Sequence, residues 1–84
     1  MPRSGTRERM LYFIYLYVCL FYQDVFKAED LARELKMTPR MLRDYMRVLV
    51  EKGFLTRLIG NPVKFKVLKR KVMRFKDFLN ELQK

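Results

Sequence analysis

The sequence predicts a mainly helical α+β domain with one small β-hairpin, its elements in the order α-β-α-α-β-β-α along a single domain at 1–84. Three observations carry this. Two short amphipathic segments, 28–36 and 38–52, are joined by almost nothing. The run Val63-Lys64-Phe65-Lys66-Val67 alternates strictly behind the turn residues Gly60-Asn61-Pro62, which is the period of a half-buried strand entered through a turn. Met10 to Tyr22 is apolar or aromatic without a break, the pattern of a helix covered on more than one side.

The first helix is expected over 6–23. Its thirteen-residue apolar run follows Arg3, Arg7 and Arg9 and so imitates a secretory signal, but no small-residue cleavage site follows it. It also falls short of the ~20 residues that span a bilayer. No membrane association is therefore expected. Phe13, Tyr17, Leu20 and Phe21 lie on one side of the helical wheel, and Tyr12, Tyr15, Cys19 and Tyr22 on the other. The sequence alone does not say which side meets the domain's own core. The expected dimer interface is set on Tyr12, Tyr15, Cys19 and Tyr22. Cys19 itself reads as a small buried hydrophobe rather than a reactive thiol. Gln23 and Asp24 end the helix, and Val25-Phe26-Lys27 is a brief extended segment able to join the later hairpin as a third strand.

Leu31, Ala32 and Leu35 form the buried stripe of the next helix, and only Met37 and Thr38 separate it from the one that follows. Thr38 is a good N-cap and Pro39 suits the first helical position. With Leu42 set at zero and about 100° per residue, Leu42, Met46 and Leu49 fall within about 60° of one another, whereas Arg40, Arg43 and Arg47 cluster between about 100° and 160°. One face is thus apolar and another carries three arginines. Gly53 closes this helix, expected to end at Lys52. Two short helices, a tight link and an arginine-bearing second helix make a helix-turn-helix, whose second helix lies in the major groove of DNA.

The hairpin occupies 54–69, and a last helix is expected over 70–83. Val72, Phe75, Leu79 and Leu82 are spaced three, four and three apart, as in a seam between two packed helices. They are assigned to the dimer interface. Between Glu51 and Asp77 no residue is acidic, while Arg57, Lys64, Lys66 and Lys69 are among the basic ones.

The bulk properties agree. Nineteen Lys and Arg against nine Asp and Glu give a formal charge of +10 over 84 residues, which favours a polyanionic partner. A domain this small is near the lower limit for a self-sufficient core, so a second copy would help it. One cysteine and no histidine exclude an internal disulfide, a cysteine-histidine zinc cluster and a Ser-His or Cys-His pair. With no Gly-rich phosphate loop either, no enzyme activity, no cofactor and no small-molecule ligand are expected.

In this order, Ala28-Glu29-Asp30-Leu31-Ala32-Arg33-Glu34-Leu35, the cap Met37-Thr38-Pro39, the stripe Leu42, Met46 and Leu49, the junction Glu51-Lys52-Gly53-Phe54-Leu55 and the basic hairpin resemble the winged helix-turn-helix family. Size, charge and the aromatic first helix are also similar to the small dimeric winged-helix regulators of archaea and their viruses and plasmids. The resemblance implies a cytoplasmic double-stranded DNA-binding protein, nucleoid-associated or in the host cytoplasm if viral, acting as a sequence-specific transcriptional regulator and homodimer. Its recognition helix, 38–52, would present Thr38, Pro39, Arg40, Arg43, Asp44 and Arg47 to the major groove. Its wing, 57–67, would lie on the backbone or in the minor groove, with Arg57, Asn61, Lys64, Lys66 and the adjoining Lys69 making contact. A DNA-coating protein without sequence preference and a winged-helix adapter for protein partners are the alternatives.

Overall fold

A long helix, α1 (Ser4–Phe21), opens the fold and packs on the third and fourth helices. The computed structural model describes residues 4–22, 25–69 and 71–83, without the side chains of residues 4 and 5. The expected helix end at Gln23 and Asp24 and the expected helical start at Arg70 lie outside the described residues. After α1 come β1 (Phe26–Lys27), α2 (Ala28–Leu35), α3 (Pro39–Glu51), β2 (Leu55–Leu58), β3 (Lys64–Val67) and α4 (Phe75–Leu82). The architecture is four helices with a small antiparallel sheet of strand order β1-β3-β2, and the element order is the expected one.

Helix α1 buries Leu11, Ile14, Tyr15, Val18 and Cys19, whose spacing of three, one, three and one is that of a helical stripe. Phe13, Leu20 and Phe21 stay exposed. This overturns the expected orientation: the side carrying Tyr12, Tyr15, Cys19 and Tyr22 packs inside the chain itself. The reason is polar. The hydroxyl of Tyr12 donates to the Met73 carbonyl at 2.5 Å, that of Tyr15 to the Lys71 carbonyl, and the Cys19 thiol to the Lys69 carbonyl at 3.5 Å. Donors three and four residues apart on a helix are separated by about 4.5–6 Å, close to the ~6.6 Å between alternate carbonyls of extended chain. The segment after β3 therefore runs antiparallel along α1 with every second carbonyl satisfied. Tyrosine is the aromatic residue suited to this inner side, because its ring is buried while its hydroxyl finds an acceptor.

The same contacts correct the last helix. Residues 71–74 are non-helical, and α4 begins at Phe75. Val72 lies outside the helix and is exposed, so the expected seam of Val72, Phe75, Leu79 and Leu82 is broken at its first member. The buried residue of α4 is Phe78, whose ring centroid is 5.3 Å from Tyr12, 5.4 Å from Tyr15 and 5.0 Å from Phe54. Phe75 packs on Tyr12 at 5.2 Å, and Leu82 is partly buried against the core. That face of α4 is thus engaged within the chain.

Helix α2 ends at Leu35, and Lys36 turns into the left-handed region at φ 57°, where the Met37 amide donates to the Ala32 carbonyl at 2.9 Å. The link to α3 is therefore residues 36–38. Helix α3 begins as expected: the Thr38 hydroxyl oxygen accepts from the Met41 amide at 3.2 Å, and Pro39 takes the first turn. It buries Leu42, Met46 and Leu49 and ends one residue early, at Glu51, with Lys52 as its cap. Gly53 at φ 84° turns the chain so that the Phe54 amide reaches the Leu49 carbonyl at 2.9 Å. In the sheet Phe26 and Arg57 both lie opposite Phe65, and Leu55 lies opposite Val67. Phe65 and Val67 are buried while Lys64 and Lys66 face outward, as the alternation requires.

Candidate nucleic-acid interface

Because α3 spends its apolar stripe on the core, its remaining surface is set by the same 3.6-residue period. Arg40, Arg43, Asp44 and Arg47 are all exposed. Arg43 and Arg47 line a cleft of about 520 Å³ between α3 and the β2–β3 hairpin, and Arg57 of β2 and Lys27 of β1 line it too. Val63 and Phe65 give it an apolar floor, with Glu29 and Glu51 also in its wall. Strand residues opposite each other share a face, so the pairing of Arg57 with Phe65 places Arg57 on the cleft side of the sheet. Among the described residues, Arg43, Arg47 and Arg57 form no ion pair. Unpaired cations beside low-dielectric walls focus a positive potential on the cleft.

The expected site residues divide among several places. Arg43, Arg47 and Arg57 come together. Arg40 lies one turn nearer the start of α3, and Pro39 is exposed there. The Thr38 oxygen is occupied in capping. Asp44 faces a second groove, formed with Thr6, Arg7 and Tyr45 between α1 and α3, and Arg47 borders both grooves. Lys64 and Lys66 alternate with Phe65, so they project from the outer face of the sheet, opposite to Arg57. Asn61 is exposed in the loop at 59–63.

Lys69 does not belong to this surface. Its Nζ lies 3.1 Å from Glu81 Oε1 and 4.9 Å from the centroid of the Phe54 ring, so its charge is engaged in tying α4 to the chain after β3. Lys27 and Arg7 border these grooves although neither was among the expected contacts. The signal for Lys27 was its place beside Phe26 in a segment that could pair with 63–67; its partner in the sheet is Lys64. Arg7 carried no such signal, since only the packing of α1 on α3 brings it near.

Phe13 and Phe21, exposed on α1, flank Tyr17, which is itself partly buried against the core, with ring centroids 6.1 Å apart for Phe13–Tyr17 and 4.8 Å for Tyr17–Phe21. The Tyr17 hydroxyl donates to Glu34 Oε1 at 2.6 Å, which raises the tyrosine's pKa and lowers that of the carboxylate. Among the described residues no helix is long and apolar enough to cross a membrane, and no acidic, cysteine or histidine group is clustered as a metal site would need.

No protein-family model, curated protein or solved structure matches the chain.

Proposed function

We propose that the chain is a double-stranded DNA-binding protein of the winged helix-turn-helix type, a transcriptional regulator that binds as a homodimer with α3 in the major groove and the β2–β3 hairpin alongside it. The convergence of unpaired Arg43, Arg47 and Arg57 on one cleft between helix and hairpin carries this reading. Arginine forks match both guanine edges and phosphates. Arg43 and Arg47, on the exposed face of α3, read base edges, each bidentate pair contributing ~1–3 kcal/mol of discrimination. Arg57, Lys64 and Lys66 hold the backbone.

The homodimer forms through the uncovered side of α1. Phe13, Leu20 and Phe21 are 48%, 57% and 65% exposed, an apolar stripe of the kind that marks an association surface. A second copy fits it because a twofold pairs the same patch with itself.

Binding of a duplex across a salt series tests the division of roles. Arg47→Ala is expected to relax base preference at one position of the site. Lys64→Ala is expected to weaken all sequences alike and reduce the slope of log K against log salt by about one. Indistinguishable effects of the two substitutions would contradict the assignment.

A further inference from the structure

The tip of the β2–β3 hairpin carries Ile59, whose side chain is 99% exposed, next to Leu58 at 37%. Cations stand on both sides of this apolar tip. Arg57 lies on the cleft face of the sheet, whereas Lys64 and Lys66 lie on the outer face. An apolar apex between two cationic faces is the complement of a DNA minor groove, which is a slot about 6 Å wide between two phosphate strands. Apolar side chains inserted from the minor groove unstack a base step and kink the duplex.

The reach of the hairpin agrees with this. Leu55 is anchored in the core and β1 runs beside β3 as far as Lys64, so the part of the hairpin that extends past the sheet is the loop at 59–63, which Ile59 opens. A helix in the major groove beside such an arm leaves its tip over the neighbouring minor groove. We infer that Ile59 is a wedge that enters the minor groove and unstacks one base step, with Arg57 on one phosphate strand and Lys64 and Lys66 on the other. The inference rests on the DNA-binding reading above.

The test uses the full chain and a mixed-sequence duplex carrying 2-aminopurine next to its T-A steps, because pyrimidine–purine steps are the most easily unstacked. Wild-type protein is expected to bind with a rise in 2-aminopurine fluorescence. Ile59→Ala, at a site with no packing to lose, is expected to keep its Tm, bind about tenfold more weakly, lose the fluorescence rise and retain the wild-type salt slope. Ile59→Met is expected to restore both affinity and fluorescence. Lys64→Ala is expected to do the reverse, lowering the salt slope while keeping the rise. Binding by Ile59→Ala with an undiminished fluorescence rise, or with lower affinity but no rise even in the wild type, overturns the wedge and leaves the DNA-binding reading intact. A wild-type chain that does not bind the duplex at any salt overturns both.

Discussion

Tyr15 shows how one side chain decides the arrangement of the chain around it. Its ring is fully buried between Phe54 and Phe78, and its hydroxyl donates to the Lys71 carbonyl. Tyr15→Phe keeps the ring but leaves that acceptor without its donor, which is expected to cost ~1–3 kcal/mol in denaturant unfolding. Burial, with Cys19 beside it, raises the pKa of Tyr15 above its ordinary value of 10.0, and burial does the same for Tyr22. The folded chain thus keeps protons that the unfolded chain releases, so this stabilisation is complete below about pH 10 and falls as pH rises further. Tm is expected to hold level up to that point and then drop, and Tyr15→Phe should make the drop shallower. Equal alkaline slopes in the two proteins would contradict the role given to this hydroxyl. Lys36 tests the backbone in the same way: its φ of 57° is left-handed, and Lys36→Gly should raise stability by roughly 0.5 kcal/mol by removing the Cβ conflict.

Among the elements, α3 is the one most fully written in local sequence. Its cap, its apolar stripe and its closing glycine each act within a few residues, and all three stand where the pattern places them. Thr38→Ala is expected to cost about 1 kcal/mol, or ~4–8 °C in Tm for a domain of this size. At Gly53 nothing lies within 4 Å of an added Cβ. Gly53→Ala is therefore expected to lose only the ~1–2 kcal/mol of left-handed strain. Strand β3 was equally legible, because its alternation sorts Phe65 and Val67 from Lys64 and Lys66 without reference to anything distant. The start of α4 and the orientation of α1 were not legible, and for one shared reason. Both depend on carbonyls at 69, 71 and 73 meeting donors at 19, 15 and 12, across 50 to 61 residues of sequence. Periodicity in 72–82 imitated a helical seam while those bonds kept 71–74 out of the helix. An apolar run with no polar face gave no means of choosing its inner side. Of the candidate surface, the arginines of α3 were readable from the helical wheel, but the split of the hairpin cations between two faces needed the strand register.

For the molecule as a whole, two surfaces carry the proposed function, the exposed aromatic side of α1 for a second copy and the cationic cleft for DNA. The double substitution Leu20→Glu and Phe21→Glu touches only exposed positions. It is expected to give a folded monomer by sedimentation where the unaltered chain is expected to sediment as a dimer, and dimerisation unaffected by it would remove α1 as the interface. Loss of the dimer should also weaken operator binding, because each copy would then grip a single half-site. The central claim, that this surface reads a DNA sequence, is tested most directly by selecting bound duplexes from a random pool at near-physiological salt. The expected result is an enriched inverted repeat whose halves are centred about 10 base pairs apart, or a multiple of that spacing. A pool retained with no enriched motif, or not retained at all, would contradict it.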